Sequence, residues 1–181
     1  LSRRGPAQIA VLEQALNRFV ENYINVKGAN YKCILDLLAR GNPDLSKIKS
    51  GEKLIDETKN ITDESIKVVK QMNNTCLSIQ GPPGTGKTYN SAKIIIDLIK
   101  EGKKVGVSSN SHEAIKTLLS EIENQALAEK FEFKGMKKSS STNLFEGKFI
   151  IDVIKDKPID TKDFSLFAGT AWFFSNIRMN Q

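Results

Sequence analysis

Gln80-Gly81-Pro82-Pro83-Gly84-Thr85-Gly86-Lys87-Thr88 (QGPPGTGKT) satisfies the pattern G-x-x-x-x-G-K-[ST] from Gly81 to Thr88. Gly81, Gly84 and Gly86 open backbone conformations closed to other residues, so successive amide hydrogens can converge on phosphate oxygens. Where such a loop feeds a helix, the helix N-terminus adds its positive dipole end at the same point. Lys87 is placed to reach β- and γ-phosphates, and the Thr88 hydroxyl is the matching magnesium ligand. The candidate phosphate cradle is therefore Gly81, Pro82, Pro83, Gly84, Thr85, Gly86, Lys87, Thr88 and Tyr89, with Lys87 and Thr88 as its catalytic members. A chance match in a chain of this length is on the order of one in a hundred from average composition.

The flanks supply the context that the pattern needs. Residues 75–80 read as a short apolar strand. Residues 87–100 read as a helix with Ala92, Ile95, Ile96 and Ile99 on its apolar face, ending at Gly102. Residues 104–108 (KVGVS) form a second predicted strand and residues 111–125 a second helix. Strand and helix alternate in units of roughly 30 residues, which predicts an α/β fold with a parallel sheet and right-handed crossovers. Further strand candidates lie at 131–134, 149–154 and 166–174, and residues 137–142 (KKSSST) read as a mobile loop.

Upstream, residues 6–25 have a helical apolar period (Ile9, Leu12, Leu16, Phe19, Val20, Tyr23), with Pro6 suited to the first turn. A second helix is predicted over 30–40, stopped by Gly41, followed by a turn at Asn42-Pro43-Asp44 and a short charged helical stretch to residue 60. Thr62 or Asp63 is placed to cap a helix running to Met72. Residues 1–60 thus read as a helical arm, and 61–181 as the nucleotide-binding domain.

Length and composition narrow the classes. A chain of 181 residues suits one core with an appendage, and 39% hydrophobic against 27% charged residues argues against wholesale disorder. Two cysteines (Cys33, Cys76) and one histidine (His112) exclude a disulfide scaffold and a four-ligand zinc site. The net charge of +6 suits a polyanionic partner. The densest apolar run, Ile94-Ile95-Ile96, is interrupted at once by Asp97, so no membrane span is expected. No signal peptide is visible, and the cysteine usage predicts a cytoplasmic protein. The first residue is Leu1 rather than Met, so the chain is expected to belong to something longer.

Gln80 to Thr88, together with Val105-Gly106-Val107-Ser108-Ser109-Asn110-Ser111-His112-Glu113-Ala114-Ile115, resembles superfamily 1 helicases. The similar branch holds the nonsense-mediated-decay and Okazaki-processing helicases, including bacterial members fused to a RecB-like nuclease. In that family the strand after the P-loop helix ends in a small polar motif, Ia, which opens the next helix and touches the backbone of single-stranded nucleic acid. Ser111 and His112 stand where many members carry Ser-Asn. Ser111 can cap the helix while its N-terminal amides face a phosphate. Leu166-Phe167-Ala168-Gly169-Thr170-Ala171-Trp172-Phe173-Phe174 is similar to the Gly-Thr-Ala-Trp strand end of the nuclease-fused members, which implies Thr170 at the sheet edge facing the nucleic acid. Trp172 could stack on a base, but amid phenylalanines it is expected in the core.

The resemblance covers roughly residues 63–175 and is tightest over 77–119. It implies a RecA-like domain truncated before its Walker B motif, ATP and Mg²⁺ as cofactors, and single-stranded nucleic acid, DNA in preference to RNA, as partner. It also implies a second RecA-like domain in the parent protein, and ATP hydrolysis only there. Two departures stand out. Glu64 occupies the place of a glutamine that reads adenine in many members, although a carboxylate also accepts from an exocyclic amine. No Asp-Glu pair follows Thr88, since Asp56-Glu57 and Asp63-Glu64 both precede it.

Other classes use the same loop. A self-contained kinase-like enzyme would take Phe149-Ile150-Ile151-Asp152 as its Walker B strand, but only Arg178 lies beyond it to serve as a lid arginine. An AAA-type ATPase would need an apolar run ending in Asp-Glu downstream. A module that binds nucleotide without turnover is compatible with the isolated chain.

Overall fold

The computed structural model describes residues 9–154 and 161–176. In chain order these form α1 (Ala10–Val26), a 3-10 turn (Ala29–Tyr31), α2 (Lys32–Ala39), α3 (Ile61–Lys70) and α4 (Lys87–Lys100). After them come β1 (Val105–Ser108), α5 (His112–Ala128), β2 (Gly135–Lys138), β3 (Ile150–Val153), β4 (Leu166–Gly169) and α6 (Ala171–Ser175). The four strands make one sheet in the order β1-β4-β2-β3, every pair parallel. Parallel neighbours need crossover connections, and α5 supplies the first.

Register decides what each face of the sheet carries. Val107 lies opposite Ala168, and Ala168 opposite Lys137, which is in turn opposite Asp152. Residues in register share a face. On this side α4 and α5 pack: Ala92, Ile95, Ile96 and Ile99 from one, Ile115, Leu119, Ile122 and Ala126 from the other, meet Val107, Ile150, Leu166 and Ala168 in a single core. The helical spacing of three and four puts each set on one stripe, and every fully buried Ile or Leu contributes about 1.5–3 kcal/mol. The other face carries Gly106 and Gly169. Phe174 of α6 lies against the first and Phe173 against the second. Helix α1 packs on α6, where Arg18 Nη2 donates to the Ser175 carbonyl at 2.8 Å. Helices therefore cover both faces of a parallel sheet, as the α/β expectation requires.

Several local expectations are corrected. Residues 75–80 form no strand; Leu77 is half-buried, Ile79 is exposed, and no ladder partner lies beside them among the described residues. An apolar run becomes a strand only when a neighbour completes its hydrogen bonds. The start of this run is tied instead to α2, through Thr75 Oγ1 donating to Asp36 at 2.7 Å. The segment 131–134 is not a strand either: Phe131, Phe133 and Phe149 form an aromatic cluster, and β2 begins only at Gly135. Lys137 and Lys138, expected in a mobile loop, are in β2, and Lys137 is wholly buried.

The predicted strand over 166–174 stops at Gly169 and turns into α6, which leaves Trp172 46% exposed and not in the core. Helix α2 ends at Ala39, and Arg40 (φ +54°), not Gly41, takes the left-handed position. No helix forms between α2 and α3; Leu45 there makes an isolated antiparallel bridge with Met72. Helix α3 is capped two or three residues earlier than expected, by Asn60, whose Oδ1 accepts from the amides of Thr62 and Asp63. Pro6 lies outside the described residues.

Candidate functional site

Helix α4 starts at Lys87 because Gly86, at φ +75°, turns the chain into it, and Gly84 is also left-handed at φ +81°. At Gly81 the constraint is space, since a Cβ there would sit 2.7 Å from Thr85 Oγ1. That hydroxyl donates to the Pro82 carbonyl at 2.8 Å and braces the loop from within. Lys87 Nζ folds back to donate to the carbonyls of Gly81 and, at 2.7 Å, Pro82. Its partners are neutral carbonyls, so a phosphate oxygen, carrying a full negative charge, would be the stronger partner for the ammonium. Thr88 and Tyr89 are exposed on the first turn of α4.

This arrangement fits a nucleoside triphosphate: a glycine-built loop, a helix N-terminus and a cation with replaceable partners, with a hydroxyl next in sequence. No group of three or more His, Cys, Asp or Glu side chains among the described residues is arranged to hold a metal. Mg²⁺ would rest on Thr88, phosphate oxygens and water. Beside the loop, a groove of about 310 Å³ is lined in part by Thr62 and Asp63 of α3 and by Tyr89 and Lys93 of α4. Glu64 is not among its lining residues. Its nearly buried carboxylate accepts from Lys67 Nζ at 2.7 Å and from the Asp56 amide at 3.2 Å. The Lys67 contact first, then the Asp56 amide, hold its pKa below the usual glutamate value.

The residues predicted to face nucleic acid come together at one edge. Ser108 of β1 lies level with Gly169 of β4, so segments 109–112 and 170–172 leave the sheet side by side. Helix α4 runs back to β1 through a short turn, so the glycine loop lies at this same carboxyl edge, where open α/β sheets bind ligands. Ser111 caps α5 as expected, its Oγ accepting from the Ala114 amide at 3.4 Å, and its own amide donates to Ser109 Oγ. Thr170 is the residue before α6 and is half-buried. His112 is half-buried; burial first, then the charges of Lys137 and Lys116, push its pKa below the usual histidine value. Its Nδ1 is buried with no hydrogen-bond partner among the described residues.

Two polar clusters escaped sequence reasoning. Lys137 Nζ, wholly buried beneath the start of α5, donates to Ser139 Oγ at 2.5 Å and to the Asn143 carbonyl at 2.6 Å. Ser139 Oγ in turn donates to Asp152 Oδ1, while Asp152 Oδ2 accepts from the amides of Phe145 (2.8 Å) and Glu146 (3.0 Å). Burial pushes the Lys137 ammonium down, opposed by the charge of Asp152. For Asp152, burial works upward, but the Glu146 amide, Ser139 hydroxyl, Phe145 amide and Lys137 together hold it below the ordinary aspartate value. The second cluster is Glu123 of α5, whose carboxylate accepts from the amides of Lys148, Phe149 and Ile150 at 2.8–3.0 Å. The available signals were Asp152 within the apolar run 149–154 and Glu123 beside Ile122 on the inward stripe of α5.

No protein-family model matches the chain, and a search of curated proteins finds no match either. Fold and loop together define an α/β protein with a parallel sheet and a glycine-rich phosphate-loop sequence at the head of α4. No described helix is long and apolar enough to cross a membrane.

Proposed function

We propose that the chain is the ATP-Mg-binding part of a nucleic-acid helicase or translocase of superfamily 1, a RecA-like lobe with its helical arm. The observation that carries this is the loop itself: left-handed Gly84 and Gly86 deliver Lys87 and Thr88 to the first turn of α4. Within it, the loop amides and Lys87 bind and neutralise the β- and γ-phosphates, and Thr88 orients the cation. Bound Mg²⁺ would neutralise charge on the transferring phosphoryl group. The nucleic acid lies across the neighbouring rim, its phosphates toward the N-terminus of α5 at Ser111-His112 and toward Thr170. The basic balance of the chain supports an anionic partner. Cleavage of ATP draws its acid pair and transition-state arginines from residues outside those described, supplied by the complete protein.

The kinase-like alternative would make Asp152 the metal-holding carboxylate. Asp152 sits on β3, three strands across from β1, about 14 Å at ~4.8 Å per strand, and already accepts from Ser139 and two amides. That geometry favours the helicase reading. The test is equilibrium binding of a fluorescent ATP analogue to the chain with Mg²⁺, followed by ATP hydrolysis by the full-length protein with and without single-stranded DNA. Lys87→Ala should weaken binding at least tenfold with the fold intact and abolish hydrolysis. Equal affinity in that variant would sink the phosphate-loop assignment. Hydrolysis indifferent to the strand would sink the helicase assignment.

A further inference from the structure

Nine of the sixteen large apolar side chains exposed among the described residues lie on the arm formed by α1 and α2. Neither helix has a fully buried residue. Helices of this length draw most of their stability from the face they pack, so the cover on α1 matters. Leu12, Ala15 and Phe19 make up a half-buried arc, and α1 packs on α6 and on the 3-10 turn, where Phe19 meets Tyr31 edge-on at 5.4 Å. Beside that arc runs a second one that stays exposed: Ile9, Leu16, Val20 and Tyr23, with Leu16 open by 64%. At about 100° per residue the two arcs together span roughly 200°, twice the ~100° apolar stripe of an ordinary surface helix. Tyr23 and Leu35 of α2 both close on Gly28, which brings α2, with its exposed Leu37 and Leu38, to one end of the open arc.

The open arc carries opposite charges at its two ends. Positions 9, 13, 16, 20, 23 and 27 alternate steps of four and three, the seam spacing of paired helices, and they hold Ile, Glu, Leu, Val, Tyr and Lys. Glu13 and Lys27 are exposed, and neither is ion-paired with another described residue. Such a seam complements itself when two copies lie antiparallel, because the acidic end of each meets the basic end of the other. A parallel pair would set Glu13 against Glu13 and Lys27 against Lys27. Full antiparallel overlap puts the two-fold axis level with residue 18, so each Leu16 packs on the second copy's Val20. Helical side chains lean toward the N-terminus of their own helix, which draws each Glu13 and the second copy's Lys27 together.

We propose that the open arc of α1 is the two-fold interface of a homodimer in which two copies of the chain pair α1 antiparallel. The inference stands apart from the nucleic-acid reading and on a different part of the chain. A contiguous apolar patch rimmed by polar residues is the kind of surface that marks a protein contact, and the charges at its ends select an identical seam as its partner.

Sedimentation equilibrium of the chain across micromolar concentrations should give twice the chain mass. Leu16→Glu, at a position open to solvent in the single chain, should keep the helical content and leave the protein monomeric. Glu13→Lys should weaken the dimer roughly tenfold, since it turns two attractions into repulsions, and Glu13→Lys combined with Lys27→Glu should restore it to within about threefold. The charge changes disturb no packing in the single chain, so they test the interface even where Leu16→Glu fails to fold. A monomer at every concentration would overturn the proposal, and so would a dimer untouched by Leu16→Glu. A dimer lost with Leu16→Glu but indifferent to every charge change would overturn the antiparallel pairing.

Discussion

Asp152→Ala would strip the countercharge from a lysine that has no exposed side-chain surface. In the folded chain Lys137 Nζ stands 3.7 Å from Asp152 Oδ1 and is linked to it through Ser139 Oγ. Removing one partner of such a pair costs about 3–5 kcal/mol, because the remaining charge stays buried. The Phe145 and Glu146 amides also lose their acceptor; the Glu146 amide is exposed and can rehydrate while the Phe145 amide is half-buried, so about 3–4 kcal/mol is the working figure. Lys137→Met leaves Asp152 its hydroxyl and two amides and should cost about 1 kcal/mol. With both replaced, no unpaired charge remains, and the loss should return to about 1–2 kcal/mol.

The coupling in that double-mutant cycle is then about 2–4 kcal/mol, well beyond the ~0.5 kcal/mol scatter of independent sites. Urea unfolding of the four proteins, compared at common slope, measures it. Additive losses would refute the claim that the two side chains form one buried unit. A second readout bears on function. Asp152→Asn keeps the size of the side chain, and Mg²⁺-dependent binding of an ATP analogue should survive it. Loss of the magnesium dependence would instead return Asp152 to the role of a metal-holding acid.

Glu123→Ala would orphan three amide donors at the entry to β3 and should destabilise the chain by about 3 kcal/mol, with Glu123→Gln milder because an acceptor oxygen remains; the urea midpoint checks both. Glu129 binds Lys100 and Lys93, in that order of effect, and its pKa is held below its ordinary 4.5. A carboxylate depressed in the fold contributes stability that is full above its unfolded value and is lost as pH falls through its folded one. Unfolding curves between neutral pH and the acid range should therefore flatten in Glu129→Gln, and an unchanged pH profile would contradict the ion-pair assignment.

What could be read from the sequence was what lies close together along it. The glycine loop is eight consecutive residues, and α4 and α5 declare themselves by apolar residues three and four apart, so α4 was found to the residue and α5 at its start, though α5 runs on past the expected 125 to Ala128. Strand β2 hid because its inward residues on the core face are Gly135 and Lys137, neither of which gives an apolar alternation. Residues 75–80 misled for the opposite reason, being apolar without a ladder partner. Trp172 was misplaced because its orientation depends on Gly106, far away on β1, as well as on Gly169. Partners distant in sequence decide each of these, and no local pattern reports them.

The same division separates holding a nucleotide from cleaving one. Holding needs backbone amides, a lysine and a hydroxyl, and residues 81–88 contain all of them in one turn of chain. Cleavage needs a carboxylate brought to the attacking water from another strand, a long-range requirement. Three of the acids that the fold buries or half-buries are engaged elsewhere: Asp152 by Ser139 and two amides, Glu64 by Lys67 and the Asp56 amide, Glu123 by three amides of the β3 entry. Freeing any of them would unpair donors that presently hold the fold, at about 1–3 kcal/mol for each one left buried. A nucleotide bound at Lys87 is therefore expected to be retained rather than hydrolysed by these residues alone, and turnover to arise when an acid outside them is brought to the loop.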